Sequence, residues 1–268
     1  MHKNISDLFE GLWQDYIRIT PSAKQIHQLL GDVSGTTDIV NDHIALRTFN
    51  IEKVNLAKLA QHFLSLGYEH KGDYDFASKK LTAKHFEHED PNVPKVFISE
   101  LRVEELSTAA QSIIVKLVEQ VDASKVIDKD FLYSGTHWQL SKADYMLLRD
   151  ESEYAGWMAA WGYRANHFTV SVNHLNNFGE LSQVNDKLLS SNFRLNQSGG
   201  LIKGGEDVCL AQSATMADVA SASFSDGELQ IPSCFYEFAQ RYKLANGEYY
   251  QGFVAASADK IFESTNAN

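Results

Sequence analysis

Residues 41–49 read NDHIALRTF, and residues 165–172 read ANHFTVSV. Alternate side chains of an extended chain point to opposite faces. In the first stretch His43, Ala45 and Arg47 share one face, and Ile44, Leu46 and Thr48 share the other. In the second, His167, Thr169 and Ser171 lie opposite Phe168, Val170 and Val172. Each stretch therefore has a side that can pack on a core and a side that must look into something polar. Each also opens with a histidine on the polar side.

The same order of elements succeeds each stretch. After the first comes NLAKLAQHFLSLG (55–67), where Leu56, Leu59, Ala60 and Phe63 form a helical stripe and Gly67 a stop. Three strand candidates come next: YEHKGDYDF (68–76), KKLTAKHFEH (79–88) and KVFISELRV (95–103). After the second comes a helix over about 178–191, then DVCLAQS (207–213), ADVASASFS (217–225) and the stretch around SCFYEFAQRY (233–242). Strand, helix and three strands occur twice. The predicted fold is α+β, with paired βαβββ modules forming a curved mixed sheet around a cleft.

The modules occupy 41–103 and 164–243 of a single domain spanning 1–268. A helical preface covers 1–40. Its first helix is DLFEGLWQDYIR, and its second starts at Thr20-Pro21, reaches about Leu30 and ends at Gly31. Helical sequence returns at 104–163 as an insertion, and 244–268 forms a C-terminal segment.

Composition narrows the function. The chain has 268 residues, 44% apolar and 22% charged, with a formal net charge of -11. The negative charge and the lack of any Lys/Arg run argue against nucleic acid. Two cysteines without a CxxC spacing suit a reduced cytoplasm. The N-terminal sequence does not read as a signal peptide, and no apolar run approaches the ~18 residues of a membrane span. Walker, GxSxG and HExxH patterns are missing from the sequence. SGGLIKGGED (198–207) has four glycines, but Lys203 is not followed by Ser or Thr, so a glycine-rich hairpin near the cleft is expected.

The candidate centre follows from the repeat. His43 and His167 hold equivalent places in paired modules, so they can face one another across a shared cleft. Two imidazoles and one carboxylate, with positions left open, are the facial triad of non-haem Fe(II) oxygenases. The carboxylate candidates are Glu237, in the aromatic setting SCFYEFAQRY, and Glu100, in FISEL. A carboxylate in apolar sequence is costly to bury unless paired or ligating, which favours Glu237. His85 and His88 have a metal-like spacing, but nothing nearby completes a set.

DHIALRTF, RANHFTVSVN, LAQSATMAD, FYEFAQR and GFVAASADKIFEST together resemble the 2-oxoadipate dioxygenase/decarboxylase family, related to the vicinal oxygen chelate proteins. The resemblance runs from about residue 5 to 265. It implies Fe(II) held by His43, His167 and Glu237, and a substrate carboxylate held by Arg47. It also implies a 2-oxo acid and O2 as small-molecule partners, with 2-oxoadipate giving 2-hydroxyglutarate and CO2, in lysine breakdown. Asn166, Thr169, Ser233, Tyr236 and Gln212 are unranked candidates around the ligands. The chain resembles a short member, which leaves the exact 2-oxo acid open, as the sequence leaves the oligomeric state. Two other functions compete: a non-oxidative metal-dependent lyase, isomerase or hydrolase on the same scaffold, and a non-catalytic protein that binds small acids.

Overall fold

The computed structural model describes residues 1–36 and 38–265; Thr37 and the last three residues of the 244–268 segment lie outside the described residues. The preface is two helices, α1 (Ile5–Ile19) and α2 (Pro21–Ser34). Asn4 starts α1 by accepting the Ser6 amide, and Leu8, Leu12 and Tyr16 recur at four-residue spacing on its buried face. α2 runs past the stop expected at Gly31, because Gly35 is the residue that takes the left-handed conformation (φ 69°). Gly31 instead permits a close approach: a Cβ there would lie 2.6 Å from the Thr36 carbonyl oxygen.

The first module is β1 (Asn41–Phe49), α3 (Leu56–Leu64), β2 (Glu69–Phe76), β3 (Leu81–Glu87) and β4 (Lys95–Leu101). The expected insertion contains α4 (Thr108–Glu119), α5 (Lys142–Glu151) and α6 (Glu153–Trp161). Ser152, capping α6 through its hydroxyl, divides what the sequence suggests is one helix. The second module is β5 (Ala165–Ser171), α7 (Leu181–Ser190), β6 (Lys203–Gly205), β7 (Leu210–Ala214) and β10 (Phe235–Arg241). Between β7 and β10 stand β8 (Val219–Phe224) and β9 (Gly227–Pro232), and α8 (Ala255–Ile261) closes the chain.

Eight strands form one curled mixed sheet in the order β2-β3-β4-β1-β5-β10-β7-β6. Read from either end, the order is the same in module terms, which makes the halves related by a pseudo-two-fold axis between β1 and β5. Those two strands are antiparallel, and each has its own module's last strand parallel on its other side. In register, His43 pairs with Lys95 and His167 with Phe235, so Glu237 in the second half matches Phe97 in the first.

One strand assignment is corrected. ADVASASFS does not join the sheet; it pairs with 227–232 as a separate two-stranded hairpin. Its place is taken by Lys203–Gly205, from the glycine-rich stretch, paired against β7. Gly204 has φ +73°, and a Cβ there would meet the Leu210 carbonyl oxygen at 2.2 Å, so this strand can be built only around glycine.

The two faces of the sheet differ chemically. Ile44, Leu46, Phe168, Val170, Tyr236 and Phe238 are buried on the helix-covered face. Trp13 and Tyr16 of α1 lie against Phe168 with ring centroids 5.1 and 5.0 Å away, and the Tyr16 hydroxyl donates to the Phe235 carbonyl. The opposite face carries His43, Arg47, His167, Thr169 and Glu237, all buried too. The C-terminal segment covers part of that face, with Phe253 against His43 and Phe262 against Arg47.

Candidate metal centre

Three central strands supply the centre. The register sets Thr169 beside both His43 and Glu237, and His167 beside Phe235 and Ala45. Parity then sends His43, His167 and Glu237 to the same side of the sheet. Their ligating atoms lie within 4.8 Å of one another. His167 Nε2 is 3.1 Å from Glu237 Oε2, and His43 Nε2 is 3.7 Å from Oε1. The glutamate is 1% exposed.

The residue before each histidine fixes its tautomer. His43 Nδ1 is 2.8 Å from Asp42 Oδ1, and His167 Nδ1 is 3.1 Å from Asn166 Oδ1. These oxygens only accept, so both Nδ1 atoms donate and both Nε2 lone pairs face Glu237. The Thr169 hydroxyl lies 3.1 Å from His43 Nε2, and Gln212 Nε2 donates to Glu237 Oε1 at 2.6 Å.

Protonation suits ligation. Burial alone would push the Glu237 pKa up, but the neighbouring His43 and His167 and the hydrogen bond from Gln212 outweigh it and hold the carboxyl below its ordinary value. Burial lowers His167 despite the attraction of Glu237. A neutral imidazole and an ionised carboxylate are the forms a metal binds.

Behind His43 stands an ion pair. Arg241 forks onto Asp42, with Nε to Oδ2 at 2.6 Å and Nη2 to Oδ1 at 2.8 Å. Its remaining nitrogen donates to the carbonyls of Tyr250 and Gly252. Burial opposes the Asp42 charge, yet Arg241 and His43 keep the carboxyl well below the ordinary aspartate value. Aromatic rings line the rest: Phe253 meets His43 edge-on at 4.8 Å and Phe235 stacks on His167 at 4.6 Å.

Arg47 is 1% exposed. Its Nη1 bonds both oxygens of Glu153, at 3.0 and 3.3 Å, and its Nη2 lies 3.4 Å from the Thr265 hydroxyl. Tyr154, Trp157 and Phe262 surround the guanidinium. Its Nε is buried and has no partner among the described residues.

Other sequence candidates fall elsewhere. Glu100 is on the opposite face of β4, where it accepts the Leu56 amide at the start of α3. His85 is engaged by Tyr74 and Glu87, and His88 by the Asp90 amide. Asn166, Thr169 and Gln212 touch the centre, whereas Ser233 bonds the Ile19 carbonyl and Tyr236 faces the helices. Asp42 was visible in principle: an acceptor precedes the histidine in both β1 and β5. Arg241 and Glu153 had no such signal.

The sequence profile of the 2-oxoadipate dioxygenase/decarboxylase family matches residues 6–130 and 115–249. A relative from Oryza sativa subsp. japonica, named a chloroplastic/amyloplastic 2-oxoadipate dioxygenase/decarboxylase, is 34% identical over 93% of this chain and 75% of its own length. A crystal structure from Shewanella frigidimarina, provisionally labelled a hydrolase, is 58% identical over 96% of this chain and 100% of that one, with a TM-score of 0.92. The structure of a hydroxyglutarate synthase from Oryza sativa in complex with 2-oxoadipate is 34% identical over 97% and 91%, with a TM-score of 0.90. A glyoxalase superfamily protein from Ralstonia eutropha shares the fold at 21% identity, covering 92% of this chain and 85% of that one, with a TM-score of 0.71.

Proposed function

The chain belongs to the 2-oxoadipate dioxygenase/decarboxylase family and is an enzyme of that kind, and we propose that it converts 2-oxoadipate and O2 to 2-hydroxyglutarate and CO2 at His43, His167 and Glu237. The observation that carries this reading is the convergence of two Nε2 lone pairs and one ionised carboxylate in a buried site. The donor set suits Fe(II), which when bound would supply the activation of O2 and of the 2-oxo acid.

The protein's own part is orientation, charge and dryness. Asp42 and Asn166 hold both imidazoles in the ligating tautomer. Gln212 ties down one oxygen of Glu237. Phe235 and Phe253 keep bulk water from the two imidazoles. Arg47 holds the substrate's far carboxylate. Glu153 occupies Nη1; Nη2 has only a long contact of 3.4 Å to the Thr265 hydroxyl and the buried Nε lacks a partner among the described residues, so a carboxylate that displaces Thr265 could take the Nε–Nη2 edge with two prongs.

The test is oxygen uptake and CO2 release by anaerobically Fe(II)-loaded protein given 2-oxoadipate. Equal amounts of the two, with 2-hydroxyglutarate as product, are expected. Stoichiometric iron without oxygen uptake overturns the oxidative reading in favour of lyase, isomerase or hydrolase chemistry.

A further inference from the structure

Four side chains with a fixed or strongly favoured positive charge are buried among the described residues: Arg47, Arg164, Lys203 and Arg241. Three have a carboxylate beside them. Arg47 has Glu153 at 3.0 Å, Arg164 has Asp15 at 3.5 Å and Arg241 has Asp42 at 2.6 Å. Among the described residues Lys203, 4% exposed, bonds the Asn196 carbonyl oxygen, at 2.6 Å, and has no carboxylate in contact. A buried charge without a counter-ion is costly, and proteins tolerate it where something else supplies the opposite charge.

Its position says where that charge would come from. Lys203 pairs with Gln212 across β6 and β7, and cross-strand partners share a face. Gln212 in turn bonds Glu237, so Lys203 lies on the face of the centre, one side chain beyond a ligand. The nearby carboxylates are already taken. Glu237 faces the two histidines, and Glu263 bonds Ser198 and Lys260. The other amide atom of Gln212, Oε1, is buried without a partner. The ammonium is held in place rather than free to swing, because the Asn196 side chain is itself bonded to the Lys260 carbonyl and the Ser264 hydroxyl.

The register separates this cation from the other one. Lys203 is level with Ala239 and Ser171, beyond Glu237 in one direction. Arg47 is four residues along β1 from His43 in the other direction. The two cations flank the centre. A carboxylate with one oxygen engaged by a metal has a single oxygen left, which suits a point-charge ammonium. A terminal carboxylate has two, which suits a guanidinium fork.

We propose that Lys203 is a substrate-binding residue that takes the free oxygen of the carboxylate adjoining the keto group, leaving the far carboxylate to Arg47. This rests on the 2-oxo acid reading of the site. Lys203 then acts on every 2-oxo acid, and Arg47 selects those with a second acid group.

The experiment compares 2-oxoadipate with 2-oxohexanoate, which has the same chain length and no far carboxylate. Binding to metal-loaded protein is followed by calorimetry without oxygen, alongside metal affinity. Lys203→Met is expected to weaken both ligands by a similar factor, about 10- to 100-fold, with metal affinity unchanged. Lys203→Gln, which keeps a donor for Asn196, should behave the same way, and Lys203→Arg should retain most of the affinity. Unchanged binding in the Met and Gln variants overturns the proposal, as does a loss confined to 2-oxoadipate. Wild-type protein that binds neither acid overturns it together with the reading it rests on. Wild-type protein that binds them without consuming oxygen refutes only the oxidative reading, and the ratio between variants still decides the role of Lys203.

Discussion

Replacing Asp42 by Asn removes one charge and little else. The amide keeps an oxygen for His43 Nδ1, so the tautomer survives. What is lost is the counter-ion of Arg241, whose side chain is 5% exposed and would be left with two carbonyls and one amide oxygen, its Nε facing the new amide nitrogen. Breaking a buried pair from one side costs about 3–5 kcal/mol. For a chain of this length the unfolding entropy is about 0.56 kcal/mol/K, so the melting temperature should fall by about 5–9 °C. Metal affinity should fall about 10-fold, the low end for a residue supporting a ligating histidine. Asp42→Asn with Arg241→Met removes both charges, and its loss should be about 2–3 kcal/mol smaller than the sum of the single losses. Urea unfolding of metal-free protein reads the stabilities, and competition with a chelating dye reads the affinity. Strictly additive losses would refute the ion-pair argument, and metal affinity within twofold of wild type would refute the support of His43. Acid sharpens the test. A carboxyl whose folded pKa is depressed stabilises above its ordinary value, near 3.8, and loses that contribution as pH falls through the folded value. Wild-type stability should therefore drop below about pH 4 more steeply than that of the double variant.

Arg47→Lys keeps the charge and loses the fork; KM for 2-oxoadipate should rise about 10-fold or more with kcat little changed, and steady-state kinetics showing an unaltered KM would remove Arg47 from substrate binding. Lys203 is held by burial at about 8, against an ordinary 10.5. Its folded pKa is depressed, so the ligand-free protein is handicapped below that value and relieved as pH rises toward 10.5. The stability of Lys203→Met relative to wild type should thus be greatest near neutral pH and decline toward about pH 10; urea midpoints differing by a constant amount would contradict this. Gly162→Ala should destabilise the chain by about 2 kcal/mol or more, since φ is +66° and the new Cβ would lie 2.3 Å from the Gly135 carbonyl oxygen; a melting temperature equal to wild type would show that the turn relaxes.

The face parity of β1 and β5 was legible because a two-residue period depends on nothing but extended backbone. It put His43, His167 and Arg47 on the correct side, and it also explains why Glu100 fails as a ligand: on its strand it is one residue out of phase with Phe97 and Ser99. β6 was not legible, since three residues containing two glycines carry no strand signal and pair only because β7 is already there. β8 reads as a sheet strand by composition, and nothing local tells a hairpin outside the sheet from a strand within it. Arg241 and Asp42 lie 199 residues apart, and Arg47 and Glu153 lie 106 apart. Such pairs are products of folding, with no trace in local pattern.

The match between Glu237 and Phe97 has a consequence for how a duplicated chain becomes reactive. Perfect duplication would have surrounded the ion with two grips from each half, and four protein ligands make a closed, structural site. Here one half carries an acid and the other a hydrocarbon ring, against which Phe253 packs at 5.1 Å. The first half has become a dry wall and the second a handle. A ligand set of three rather than four is thus a property of the difference between the halves, and neither half alone possesses it.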